Sequence, residues 1–182
     1  IYEPELGIYE RTAELIVDRE LDANLSRYYS QHEKNEILGR LRAGTYRPRP
    51  DFEAGAKDGL YLCVENGVID LDSRELVDHD PSFLFTSRVP VEYDPDAEAE
   101  RIGAFLDDIT RREEDKLTML EMVGNCFLPN YEYESFMVLF GEGANGKSTW
   151  YSIVRRLLGR ENVSSMTLQK ISDNTFAAAN LL

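Results

Sequence analysis

Lysine is scarce in this chain: five residues of 182, against fifteen arginines and 34 aspartates and glutamates. The formal charge is -14 and the isoelectric point near 4.6. A protein that grips nucleic acid over its whole surface has the opposite sign, because backbone affinity comes from Lys and Arg displacing counterions. Any contact with nucleic acid is therefore expected from a local patch. Abundant acid with little lysine also fits a halophilic protein kept soluble in a salty cytoplasm, where repulsion is screened within a few ångströms.

Cysteine is nearly absent. Cys63 in LYLCVENG and Cys126 in MVGNCFLP are flanked by apolar residues, and neither has a second Cys or a His at zinc-ligand spacing. This excludes a disulfide scaffold, and both are expected to be small buried hydrophobes. The two histidines, His32 and His79, stand alone in polar surroundings and read as surface or turn residues. No run approaches the roughly 18 apolar residues of a membrane span. The opening IYEPELGIYE is too acidic for a signal peptide and begins with Ile1, as in a piece cut from a longer protein. A cytoplasmic location without a membrane partner is expected.

Apolar periodicity predicts a helix over residues 10–27, with Ala13, Ile16, Val17, Leu21 and Leu25 on one face. A second helix starts after Ser30, the N-cap, with Glu33 three residues on and Ile37, Leu38 and Leu41 on one side. Residues 44–58 form a connector rich in Gly and Pro. The period then shortens: residues 60–80 hold two or three strands, with Asn66-Gly67 as a tight hairpin turn and a second turn around Asp72, Ser73 and Arg74. Residues 83–97 read as extended. Helices follow over 97–109, on Ile102, Phe105, Leu106 and Ile109, and over 113–127, on Leu117, Leu120, Met122 and Val123.

The most informative stretch is FMVLFGEGANGKSTW, residues 136–150. FMVLF is an apolar run without alternation, as expected of a strand covered on both faces in a parallel sheet. Gly141, Glu142, Gly143, Ala144, Asn145, Gly146, Lys147 and Ser148 then satisfy G-x-x-x-x-G-K-[ST]. Trp150, Ile153, Val154, Leu157 and Leu158 form one helix face, stopped by Gly159. The bare pattern arises by chance in roughly one of a hundred chains this long. A buried strand before it and an amphipathic helix after it make it far more specific.

The chemistry of such a loop is geometric. Glycines let the backbone turn and present consecutive N–H groups to phosphates at the positive end of a helix dipole. Lys147 is expected to reach the β- and γ-phosphate oxygens of ATP and to be the catalytic cation, with Ser148 placing its hydroxyl on Mg2+. Asn145 and Thr149 are further donors, and Glu142 is expected to face solvent. ATP hydrolysis also needs a second metal anchor, an Asp or Glu ending another buried strand. Residues 151–182 hold no aliphatic run ending in an acid. The chain is therefore expected to bind nucleotide phosphates without hydrolysing ATP alone.

With these residues in view, the sequence resembles the phage and plasmid primase-helicases. Their carboxyl half is a superfamily-3 helicase, preceded by a domain shared with a poxvirus primase-helicase. NGVIDLDSRELVDHDPSFLFTSRVPVEYDPDA, residues 66–97, resembles that preceding domain, and GEGANGKST resembles the helicase's Walker A motif; the likeness runs from about Gly7 onward. It implies an α/β chain: a mixed α+β domain over 1–95, then the first part of an AAA+-like P-loop NTPase with a parallel sheet over 96–182. It further implies an ATP-dependent DNA helicase acting as a homo-hexamer in replication of a virus, provirus or plasmid, with a primase domain in the same parent chain. The second acidic motif, sensor and arginine finger would lie beyond Leu182.

One stretch is clearly positive: GRLRAGTYRPRP, with Arg40, Arg42, Tyr46, Arg47 and Arg49 and no acid. Arginine forks and a stackable ring suit single-stranded DNA. The alternative is that these arginines pair with neighbouring acids or a partner subunit. Two rival functions also stand: a non-catalytic linker and oligomerisation module between primase and motor, and a small-molecule P-loop kinase. The kinase would leave the 135 residues before the motif unexplained.

Overall fold

The structure, a computed structural model, describes residues 1–25, 30–48, 59–128 and 133–173. They fall into two compact units, one within Ile1–Arg88 and the other built from Val89–Leu128 and Glu132–Leu182.

The first unit opens with a small antiparallel pair that the sequence reading missed, β1 (Tyr2–Glu3) against β2 (Ile8–Tyr9). Gly7 closes the turn between them with φ +70, its amide donating to the Glu3 carbonyl at 2.9 Å. A Cβ on Gly7 would overlap the His79 ring, whose Nε2 lies 2.9 Å from the Val64 carbonyl oxygen. His79 is thus a half-buried packing residue, not a free surface group.

Helix α1 (Ala13–Asn24) and helix α2 (Gln31–Thr45) follow. The expected capping box is present: the Ser30 amide donates to Glu33 Oε2 at 2.7 Å and the Glu33 amide to Ser30 Oγ at 3.4 Å. Lys34 pairs with Asp18 at 2.6 Å and Arg42 with Glu14, so the two helices run antiparallel. Their packing is thin. Ala13, Ile16, Val17 and Leu21 are only half-buried, Leu25 is exposed, and Leu38, itself 9% exposed, is the sole buried residue of the described part of this pair. The predicted extension to Arg27 lies outside the described residues.

A three-stranded antiparallel sheet supplies the unit's core: β3 (Tyr61–Val64), β4 (Gly67–Asp70) and β5 (Leu76–Val77), in that order. Val64 opposes Gly67, so the hairpin turn is Glu65 and Asn66, one residue earlier than the Asn66-Gly67 turn expected. Gly67 instead begins β4 with φ +154, where a Cβ would stand 2.5 Å from the Val77 carbonyl oxygen. The second turn lies where expected: Asp70 Oδ1 accepts from the amides of Asp72 (2.9 Å) and Ser73 (3.1 Å), and Arg74 is left-handed. Cys63, Val64, Val68 and Ile69 are buried on this sheet. Phe83, in the 3-10 turn Pro81–Phe83, meets Tyr61 and Phe85 at ring distances of 5.0 and 5.7 Å. Residues 83–97 form no strand; Phe85 accepts from the Tyr9 amide at 2.6 Å.

The second unit is helical: α3 (Glu100–Ile109), α4 (Glu113–Asn125), α5 (Lys147–Leu158) and the short α6 (Leu168–Asp173). Leu106 and Trp150 are its most buried large side chains, with Val89 beside them in burial. Lys116 of α4 pairs with Asp107 of α3 at 2.5 Å. Ile102, Leu117 and Leu120, predicted on apolar faces, are exposed. So is Cys126, expected to be buried; its thiol donates to the Met122 carbonyl at 3.2 Å.

The expected strand over 136–140 is not formed. No described residue pairs with it, and Phe136, Val138 and Phe140 are 84%, 73% and 96% exposed. Both sheets among the described residues are antiparallel, so the chain mixes helix and strand as expected while the parallel sheet does not appear among them. The reason is physical: a parallel strand is covered on both faces and bonded on both edges. FMVLF has neither cover nor partner in the described residues.

Candidate nucleotide-phosphate site

The loop over residues 141–149 is shaped by three left-handed positions, Gly143 (φ +107), Ala144 (φ +46) and Gly146 (φ +84). Gly146 is the N-cap of α5, and Lys147 is the first helical residue. The Trp150 amide donates to the Gly146 carbonyl at 2.8 Å, making the first helical bond. The amides of Lys147, Ser148 and Thr149 precede it, so they have no acceptor within the helix. Gly146 has no side chain to cap them. These are the donors an anion takes at a helix start.

Two contacts hold the helix start. Trp150 is buried, with Ile153, Val154, Leu157 and Leu158 half-buried along the same face, as the sequence predicts. Gly146 itself packs on α3: a Cβ there would stand 2.5 Å from Ile109 Cγ2 and 3.4 Å from Phe105. At the other end Gly159, φ +88, terminates α5 beside Pro90.

Lys147 folds back across the loop. Its ammonium donates to the Gly141 carbonyl at 3.0 Å and to Asn145 Oδ1 at 2.6 Å. Glu142, Gly143, Ala144, Asn145, Ser148 and Thr149 are exposed, and Gly141, Gly146 and Lys147 half-buried. The free amides, one cation and two exposed hydroxyls at the helix start fit a polyphosphate. For Mg2+ the fit is partial: Ser148 offers one hydroxyl, and no group of three His, Cys, Asp or Glu side chains able to hold a metal occurs among the described residues.

The second predicted site lies on the first unit. Arg40 and Arg42, near the end of α2, and Tyr46 and Arg47, just past it, are all exposed, Tyr46 by 74%. Arg42 is tied to Glu14, the pairing that the alternative reading anticipated; Arg49 lies outside the described residues. The first unit also carries a groove of about 340 Å³ lined by Tyr61, His79 and the carboxylates Asp70, Glu75, Asp78 and Asp80. Those carboxylates repel phosphate, and two of them shape turns: Asp70 as above, and Asp80 by accepting from the Ser82 amide at 2.8 Å. The loop is therefore the better anion site. Sequence reasoning found its residues but missed the support from Ile109, whose place on an apolar helix face was the available signal.

The chain's relatives bear on both units. The family model described as "D5 N terminal like" matches residues 4–111, well over half the chain, and the loop lies after the matched stretch. A protein of Acanthamoeba polyphaga mimivirus named "Putative helicase" is 33% identical over 115 residues, which cover 60% of this chain and 12% of that protein. The chain thus spans about an eighth of that relative's length. On the matched 108 residues, from the β1–β2 turn through α3, this chain belongs to the D5 N terminal like family.

Proposed function

We propose that this chain is part of a primase-helicase-type replication protein and that residues 141–149 are its ATP-phosphate site. The observation that carries the reading is the loop itself: three left-handed positions deliver the backbone into α5 with uncapped amides and Lys147 at the first helical residue. Membership of the D5 N terminal like family and a relative named as a helicase support the placement in replication.

In this reading Gly141, Glu142, Gly143, Ala144, Asn145 and Gly146 line the polyphosphate through their backbone. Lys147 neutralises the β- and γ-oxygens, and Ser148 and Thr149 add hydroxyls, Ser148 toward Mg2+. The whole protein is a superfamily-3, AAA+-like helicase that works on DNA as a homo-hexamer, with 1–95 as the domain preceding the motor and 96–182 as the motor's first part. Arg40, Arg42, Tyr46, Arg47 and Arg49 touch the DNA strand.

A second reading, in which this region joins a priming domain to the motor and arranges subunits, is favoured by one observation. The apolar segment 136–140 has no strand partner among the described residues, and all of it but Met137 is exposed. Apolar residues left in solvent on a backbone without a partner favour association with another chain. The test separates holding from burning: the 182-residue chain should retain Mg-ATP, while phosphate release stays at the level of a Lys147→Ala control. Turnover abolished by that substitution would show that the chain carries a full catalytic set. Failure to retain ATP would leave only the assembly role.

A further inference from the structure

We propose that Asn145 is the positioning residue for Lys147, and that position 141 is glycine because the Asn145 carboxamide occupies the space a side chain would need. The proposal rests on the phosphate-site reading for its consequence, though not for its geometry.

A lysine ammonium has three N–H donors on a flexible four-carbon stem. Here two are engaged, one by the Gly141 carbonyl at 3.0 Å and one by Asn145 Oδ1 at 2.6 Å. The cation is therefore held over the loop before any ligand arrives, with one donor left for a phosphate oxygen. Preorganisation of this kind raises affinity by removing the ordering of the stem from the binding step.

The other end of the same carboxamide explains Gly141. A Cβ built on Gly141 would overlap Asn145 Nδ2 and lie 3.0 Å from its Cγ, whereas the next neighbour is Lys147 Nζ at 3.3 Å, the movable end of a long side chain. Gly141 is not among the residues with positive φ, so its backbone suits alanine. An alanine at 141 thus meets no backbone, only the ends of two side chains, and the Asn145 carboxamide is the one that must move. Gly143 and Gly146 differ: both are left-handed, and Gly143 has open space around it.

One contact with two owners makes a sharp prediction. Gly141→Ala expels the Asn145 side chain from Lys147, and Asn145→Ala deletes it, so each removes the same one of the ammonium's two bonds. Together they do no more than either alone.

Competitive acetylation of the ligand-free full chain, read by mass spectrometry, tests this, with the four other lysines as internal references. Lys147 should label slowly in the wild type and several-fold faster in Gly141→Ala and in Asn145→Ala, with no further rise in the double variant. Asn145→Asp keeps an acceptor and should keep Lys147 slow. ADP affinity should fall roughly tenfold in each alanine variant and no further in the double, the loss expected for one charge-assisted hydrogen bond. Unchanged Lys147 labelling in the single variants, additive effects in the double, or fast labelling in Asn145→Asp would each overturn the proposal. A wild type that binds no ADP would sink the phosphate-site reading, while the labelling result would still decide the role of Asn145.

Discussion

Gly146 and Ile109 meet so closely that a methyl group on the glycine would stand 2.5 Å from Ile109 Cγ2, which seats the start of α5 on α3. The glycine is also left-handed, with φ +84. Gly146→Ala therefore meets backbone strain and overpacking together and should destabilise the second unit by about 2 to 4 kcal/mol. Adding Ile109→Ala should recover the steric share and leave the backbone share. Lys147→Ala, which touches neither, should unfold at the wild-type denaturant midpoint, as urea titration would read.

The two cysteines should separate cleanly in a thiol-labelling experiment. Cys63 is 1% exposed, and burial pushes its thiol up to about 11, with Arg88 pulling the other way. Cys126 is exposed, though partial desolvation also raises its thiol. Iodoacetamide at neutral pH should modify Cys126 in the folded chain and reach Cys63 only through unfolding. The pH dependence follows in sign. The unfolded Cys63 thiol ionises near 9 while the folded one stays protonated, so its contribution is intact below about 9 and declines as pH rises toward about 11.

The capping box offers a test at the acid end. The Ser30 amide, then its hydroxyl, hold the Glu33 carboxyl below the usual glutamate value. A depressed folded pKa means this contribution is present above the unfolded value and lost as pH falls through the folded one. Ser30→Ala should weaken α2 by about 1 kcal/mol, the usual worth of such a cap. Glu33→Gln should make α2's helical signal less sensitive to acid, as circular dichroism between pH 6 and pH 3 would measure.

These local devices are the part of the fold most legible in sequence, because each is encoded within a few residues. Ser30 with Glu33, the turn held by Asp70 and the Trp150 to Leu158 stripe all appear as read. The hairpin turn shifted by one residue because Gly67 is needed for its closeness to Val77, a contact from a strand nine residues on that local turn chemistry does not report. The β1–β2 pair was missed because two-residue strands have no period to detect. Residues 136–140 show the limit most clearly. Their composition is that of a central strand, but strand formation depends on neighbours, and the described residues supply none. In the loop, residue identities were legible, whereas the Lys147 to Asn145 bond and the seat on Ile109 needed coordinates.

The arginine patch yields a graded expectation. Arg40 and Arg47 are exposed without an ion-pair partner among the described residues, whereas Arg42 is bound to Glu14. If the patch holds single-stranded DNA, Arg40→Ser with Arg47→Ser should lower affinity more than Arg42→Ser does and flatten the salt dependence. Tyr46→Ala should lower affinity with little change in that slope. Affinities equal to wild type in all three variants would remove the patch from the DNA interface.

The central claim is that phosphates, and not a base or sugar, are what residues 141–149 hold. Calorimetric titration of the chain with ADP and with adenosine tests it most directly, in wild type and Lys147→Ala. The account predicts that wild type binds ADP at least tenfold more tightly than adenosine, and that Lys147→Ala removes most of that difference. Equal affinity for the two ligands, or an ADP preference that survives loss of the lysine, would contradict it.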